Sequence, residues 1–146
     1  AMKIFIASDH AGFALKRAIL EHLRAAGREV EDLGTHSEES VDYPDYAHTL
    51  AARVAREAEA RGILICATGI GMSMAANRHP GVRAALCHDA YTAEMARRHN
   101  NANVLCMGGK VTGEAVAKQM VDIFLATPFD GGRHARRVAK LEAKDE

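Results

Sequence analysis

The sequence predicts an α/β fold: one three-layer, Rossmann-like domain over residues 1–146, with a five-stranded parallel sheet and a C-terminal helix. Three observations point to it. Short apolar runs alternate with longer amphipathic stretches along the whole chain. With 48% hydrophobic and 26% charged residues in 146, the chain can bury one sizeable core and is not disordered. No internal repeat or low-complexity linker divides it.

Taken in order, Lys3–Ser8 reads as a strand and Ala11–Ala26 as an amphipathic helix stopped by Gly27. Arg28–Leu33 is a second strand, followed by a polar loop, Gly34–Asp45. Tyr46–Ala60 is helical, and Gly62 precedes a third strand, Ile63–Ala67. Helical residues resume from about Met72, with a strand at Val82–Cys87. A helix at Ala90–Arg98 then leads to a strand at Asn103–Met107. Thr112–Ala126 is the next helix. After Thr127-Pro128-Phe129-Asp130-Gly131-Gly132, a charged final helix begins near Arg133.

Ligands of open parallel sheets bind beyond the carboxyl ends of the strands. Those ends carry Asp9-His10, Cys66-Ala67-Thr68, His88-Asp89 and Gly108-Gly109-Lys110. Four of five strands therefore finish in polar or small residues, the profile of a site rim.

Composition excludes several functions. Lys+Arg and Asp+Glu both number 19, so no global basic field recommends nucleic acid or an anionic membrane as a partner. No apolar run approaches the roughly 20 residues of a membrane span. Met2-Lys3-Ile4-Phe5-Ile6-Ala7 runs straight into Ser8-Asp9-His10, which is no signal-peptide pattern. Cys66, Cys87 and Cys106 are odd in number and lack C-x-x-C spacing, so reduced thiols in a cytoplasmic protein are expected. The eight histidines show neither H-x-x-x-H nor H-E-x-x-H, so no catalytic metal is expected.

The most informative segment runs from Gly62 to Ser73. A short apolar strand ends in Cys66 and opens into Ala67-Thr68-Gly69-Ile70-Gly71 before helix-forming residues. Loop N–H groups and a helix N-terminus would then face the thiol, a base or nucleophile beside a preorganised anion site. The plainer reading is a buried cysteine closing a strand and glycines making a turn. Gly69-Ile70-Gly71 also begins a G-x-G-x-x-G, with Asp89 downstream as a ribose-binding acid. Met74 occupies the third glycine position, however, and this is the third strand rather than the first.

Other candidates each have a structural alternative. Asp9 either caps a helix or serves the site with His10, which could bind an anion or move a proton. Arg133 and Arg137, four apart, share a helix face suited to phosphate; Arg136, Lys140 and Lys144 make the same segment a generally basic, solvated one. His99 ends a helix, where it would suit the dipole, and Asn100-Asn101 suit a turn. Tyr43-Pro44 could cover a sugar or anchor the loop. The methionines at 72, 74, 95, 107 and 120 read as core filler.

In this order the motifs resemble the type B ribose-5-phosphate isomerases, in the family that includes allose-6-phosphate and galactose-6-phosphate isomerases. The resemblance rests on Ser8-Asp9-His10-Ala11-Gly12, Asp42-Tyr43-Pro44-Asp45-Tyr46, Gly62–Ser73, Ala75-Ala76-Asn77, Arg98–Val104, and Asp130-Gly131-Gly132-Arg133-His134 with Arg137. It spans nearly the whole chain. It implies an aldose–ketose isomerisation of ribose 5-phosphate and ribulose 5-phosphate without metal or cofactor, in a homodimer or dimer of dimers. By that analogy Cys66 shuttles the proton between C1 and C2 and Thr68 helps move protons between the oxygens. The loop of Ala67, Thr68, Gly69, Ile70, Gly71 and Ser73 would hold the enediolate. His99 would open the furanose ring from the neighbouring subunit, with Asn100 beside it on the substrate. Asp9 and Tyr43 would contact the sugar, and His10, Arg133 and Arg137 the phosphate.

Three departures matter. Some relatives carry a glutamate base near the position of Met72; its absence here favours Cys66. Ala67 stands where glycine is frequent. Lys110 replaces an arginine that assists with phosphate, keeping the charge without the fork. Two alternatives accompany this reading: a hexose-6-phosphate isomerase, and a non-catalytic sugar-phosphate-binding module.

Overall fold

The computed structural model describes residues 2–142; Ala1 and residues 143–146, Lys144 of the basic segment among them, lie outside it. Eleven elements follow one another among the described residues: β1 (Ile4–Ser8), α1 (Phe13–Ala25), β2 (Val30–Asp32), α2 (Tyr43–Ala55), β3 (Arg61–Cys66), α3 (Ile70–Ala76), β4 (Ala84–Leu86), α4 (Ala90–Arg98), β5 (Val104–Gly108), α5 (Glu114–Ala126) and α6 (Arg133–Ala139).

The strands form one sheet in the order β2-β1-β3-β5-β4, every neighbouring pair parallel. The pleat sends alternate side chains to opposite faces. Ile4, Ile6, Ile63, Ile65, Leu105 and Met107 pack with α1, α4 and α5. Phe5, Ala7, Leu64, Cys66, Val104 and Cys106 pack with α2 and α3 on the other face. Both faces are covered, which is why the strands read as continuous apolar runs rather than alternating ones.

The expected three-layer architecture is the one found, with shifts at element ends. α2 begins at Tyr43, three residues before Tyr46, because Pro44 sits in its first turn, where a missing N–H costs no hydrogen bond. It stops at Ala55 instead of Ala60, because the Arg61 N–H already donates to the Lys3 carbonyl and the chain must be extended by then. Sheet register here outweighs good helix formers. β2 and β4 are three residues each, half the expected length; both are edge strands paired on one side only.

Connectivity creates the crevice. The loop leaving β1 turns to α1 on one face, and the loop leaving its neighbour β3 turns to α3 on the other. The two loops diverge at the carboxyl ends of adjacent strands, which is the topological switch point of an open α/β sheet. Asp9 and Cys66 sit at its two sides.

Candidate active site

Cys66 is the last residue of β3 and is 5% exposed. The Gly69 N–H donates to its Sγ at 3.1 Å. That bond requires the chain to reverse within three residues, and Gly69 does so with φ of 82°, the left-handed region open to glycine. A Cβ on Gly69 would also lie 2.8 Å from the Met107 carbonyl carbon, so β5 closes the space from the other side. The Ile70 N–H donates to Thr68 Oγ1 at 3.2 Å, and Ser73 Oγ donates to the Ile70 carbonyl at 2.7 Å. The expected turn and helix start are present, with α3 beginning at Ile70 rather than Met72.

Three loops converge on this turn because glycines let their backbones approach. A Cβ on Gly12 would overlap the Ile65 carbonyl, and one on Gly108 would lie 2.7 Å from the Ala67 oxygen. Gly109 N–H donates to the Cys66 carbonyl at 2.8 Å and Lys110 N–H to that of Ala67 at 3.1 Å. These bonds place the exposed Lys110 on the rim beside Thr68. Tyr43 lies so close over Gly71 that any side chain there would overlap its ring. The Tyr43-Pro44 pair thus belongs to the rim, at the start of α2.

Asp9 is 6% exposed, and its Oδ1 accepts the Gly12 N–H at 3.1 Å, so it shapes the entry to α1. The helix-entry and site readings are compatible, because that bond engages one carboxylate oxygen. His10 Nδ1 accepts the Val41 N–H at 3.2 Å. An acceptor at Nδ1 in a neutral imidazole leaves the proton on Nε2, a donor directed away from that bond.

A second group of expected residues gathers elsewhere. His99, Asn100, Arg133 and Arg137 line a cavity of about 390 Å³ with His134, Val138 and Leu141. His99 is the C-cap of α4, immediately before β5, and so lies at the amino end of the sheet. β5 carries the chain from there to Gly108 at the carboxyl end, about 16 Å for five residues. No residue of the Cys66 turn lines the His99 cavity. Within one chain the expected site residues are therefore two half-sites at opposite ends of the sheet.

The His99 half-site contains residues to which the sequence patterns assigned no role. The imidazoles of His99 and His134 stack with centroids 4.3 Å apart and planes 10° from parallel. Desolvation first, and then the neighbouring His99, Arg133 and Arg137, lower the pKa of the His134 imidazole from its ordinary value. Asp130 pairs with Arg98 at 3.3 Å, and Arg98 also pairs with Glu94 at 2.7 Å. Beneath the turn, Arg97 is 2% exposed and donates to the Ala102 carbonyl at 2.6 Å, the Thr127 carbonyl at 3.0 Å and Asn101 Oδ1 at 3.0 Å. Burial and the nearby Arg61 and Arg83 lower its pKa to about 10. Asn101 takes φ of 48°, the turn conformation expected of the Asn pair.

Asp89 and the two other cysteines resolve into local structure. Asp89 is the N-cap of α4, accepting the Thr92 N–H at 2.7 Å, and those bonds hold its carboxyl below the usual range. A ribose contact is therefore unnecessary to explain it. Cys87 and Cys106 are buried, and desolvation pushes the Cys87 thiol up to about 11 and Cys106 higher still.

Comparison with known proteins extends over the same residues. Residues 4–141 match the Ribose/Galactose Isomerase family. Ribose-5-phosphate isomerase B of Escherichia coli (strain K12) is 46% identical over 144 residues, covering 99% of this chain and 97% of that protein. Among solved structures, ribose-5-phosphate isomerase B of Clostridium thermocellum superposes with a TM-score of 0.93 at 51% identity, covering 96% of this chain and 95% of that one. The enzyme of the same name from Mycoplasma genitalium, solved with bound ribulose-5-phosphate, gives 0.93 at 45% identity, covering 97% and 94%.

Proposed function

The chain belongs to the ribose/galactose isomerase family, and from that membership we propose that it interconverts ribose 5-phosphate and ribulose 5-phosphate through an enediolate, with Cys66 as the base. The observation that carries the proposal is the Cys66 thiol at the switch point with the Gly69 N–H on its sulfur. Removing a proton alpha to a carbonyl moves charge onto oxygen. With the Gly69 N–H on Cys66 Sγ and the Ile70 N–H on Thr68 Oγ1, the next N–H groups in the first turn of α3 and the Thr68 hydroxyl would supply the donors for that charge. Cys66 takes the proton from C2 of the aldose and returns it to C1, and Thr68 passes a proton between O1 and O2. Atoms balance with no redox partner, and the step needs neither metal nor cofactor.

Asp9 and Tyr43 hold the sugar hydroxyls from the same rim, and Asn100 meets the substrate beside His99. His99 opens the ring by moving a proton between the ring oxygen and the anomeric hydroxyl. His10, through its Nε2 proton, grips the phosphate together with Arg133 and Arg137, and Lys110 adds charge beside them. The phosphate is remote from C1 and C2, so its binding serves orientation.

A working site then needs two copies of the chain, because His99 and the two arginines lie a sheet's length from Cys66 in their own subunit. A homodimer with shared sites, or a dimer of such dimers, meets that requirement. Exposed Ile70, Met74 and Tyr91 supply apolar surface for such contact. Among the described residues no helix is long and apolar enough to cross a membrane. Three free cysteines fit a cytoplasmic setting.

Incubation of the protein with ribose 5-phosphate and EDTA, with Cys66→Ala in parallel, tests the proposal. Ribulose 5-phosphate should form in the parent and not in the variant. An active Cys66→Ala enzyme removes the thiol from the base role. No turnover in the parent directs attention to six-carbon phosphates, and failure there too supports a binding module.

A further inference from the structure

His99, Asp130 and His134 come from the end of α4, the loop after α5 and the first turn of α6, yet one ligand atom of each lies within 4.8 Å of the others. All three backbones are fixed. The His99 N–H donates to the Met95 carbonyl at 2.9 Å, that of Asp130 to Arg98 at 3.0 Å and that of His134 to Gly131 at 3.0 Å. The two stacked imidazoles open onto the 390 Å³ cavity. Two imidazoles and a carboxylate form a donor set suited to divalent transition metals. Metal–nitrogen bonds of about 2.0–2.1 Å put neighbouring ligand atoms roughly 3.4 Å apart in a tetrahedral site. Side-chain rotation can supply that closure without moving the backbone.

The surrounding charges set the terms. Arg98 engages Asp130 Oδ1, which leaves Oδ2 for a metal, while Arg133 and Arg137 on the same cavity oppose a cation. Binding should therefore be moderate, with the arginines drawing a chloride or carboxylate as counter-ligand.

We infer that His99, His134 and Asp130 form an inhibitory binding site for a divalent transition-metal ion such as Zn²⁺ or Co²⁺. A metal on His99 occupies the nitrogen that would move the ring-opening proton. The inhibitory consequence rests on the function proposed above for His99; the binding does not.

Co²⁺ titration of EDTA-treated, dialysed protein in phosphate-free buffer, followed by visible absorption, measures binding without reference to activity. One Co²⁺ per chain is expected at micromolar concentration, weakened at least tenfold in both His134→Gln and Asp130→Asn and retained in Cys66→Ser. Zn²⁺ should inhibit ribose 5-phosphate turnover over its own binding range, reversibly with EDTA, and each variant, compared with its own metal-free rate, should resist it. Absence of binding in the parent, or unaltered binding in both variants, overturns the site. Loss of binding in Cys66→Ser with retention in the other two assigns the metal to the thiol and also overturns it. Binding that leaves an active enzyme uninhibited overturns the inhibitory role. Binding to a protein with no isomerase activity upholds the site and refutes the functional reading instead.

Discussion

Gly69 places its backbone N–H on the Cys66 sulfur at 3.1 Å, and a Cβ on it would lie 2.8 Å from the Met107 carbonyl carbon of the neighbouring strand. One glycine therefore couples the thiol's hydrogen bond to sheet packing. Its φ of 82° and the missing Cβ are both required, so the two demands fail together on substitution.

Gly69→Ala should reduce kcat by about a hundredfold, the scale of losing one fixed donor at a developing charge. KM should change far less, because the phosphate contacts lie elsewhere. The strained left-handed alanine should cost a further 1–2 kcal/mol or so of stability. Steady-state kinetics and urea denaturation read the two effects separately. A variant with parental kcat would show that the turn holds the Cys66 sulfur equally well with alanine at 69.

The three thiols should differ sharply toward alkylation. At pH 8 a thiol with a pKa of about 11, as for Cys87, is about one part in a thousand thiolate. Cys106 lies higher and is enclosed. Only when pH climbs toward 11 does the Cys87 thiolate become abundant. Iodoacetamide at pH 8 should add once per folded chain, at Cys66, with activity lost in step and saturating ribose 5-phosphate protecting it. Peptide mapping that finds Cys87 or Cys106 labelled first would refute this order.

Lys16 makes a different kind of prediction. It is a fully buried residue of α1, with Nζ 2.7 Å from Asp32 Oδ1 and a further bond to the Thr35 carbonyl. Asp32 also receives the Gly34 N–H at 2.9 Å, and Gly34 and Thr35 bond the backbone of Ser8, next to Asp9. Removing one member of a buried pair leaves the other uncompensated, so Lys16→Ala should cost about 3 kcal/mol. Denaturant midpoints should show the loss; an unchanged midpoint would mean that water compensates Asp32 fully.

Lys16 also marks where sequence reading ends. The amphipathic pattern over Ala11–Ala26 located the helix, but it treats a lysine as solvent-facing; only the β2 loop folding over α1 gives its charge a partner. Cys66, Thr68 and Gly69 were legible because their geometry is local, a strand end and a tight turn within four residues. Arg97 and the His99–Asp130–His134 group were not, since no linear period joins α4 to the start of α6. Tyr43 was legible as a site residue through family resemblance, whereas its place in the first turn of α2 followed from Pro44, read instead as part of a loop. The separation of Cys66 from His99 follows once the strand order is known: residues at the carboxyl and amino ends of a parallel sheet cannot meet in one chain.

That separation makes a complementation test possible. Cys66→Ala and His99→Asn should each be severely impaired as pure proteins. Mixed by co-refolding, half of random dimers carry both chains, and each of those has one intact and one doubly defective site. Activity on the order of a quarter of the parent is expected for two-fold symmetric sharing. Recovery absent despite mixed dimers detected by mass spectrometry would place both residues in one subunit's site.

His99→Asn separates ring opening from isomerisation. Ribose 5-phosphate is mainly a closed ring, and its opening needs a proton moved on and off oxygen, a step to which a placed imidazole contributes about a hundredfold or more. Ribulose 5-phosphate has no furanose of that kind to open, yet comparing the forward and reverse reactions decides nothing, since the equilibrium constant ties their ratio. A four-carbon aldose 4-phosphate avoids the difficulty: its only chain-end oxygen able to close a furanose is esterified, so it reaches the enzyme open. Asparagine retains a hydrogen-bonding group at the end of α4, and Arg97 holds the turn beneath it independently of residue 99. The variant should therefore lose about a hundredfold in kcat/KM on ribose 5-phosphate and only a few-fold on the four-carbon substrate. An equal loss on both would move His99 from ring opening to the proton transfers at C1 and C2, beside Cys66 of the facing subunit.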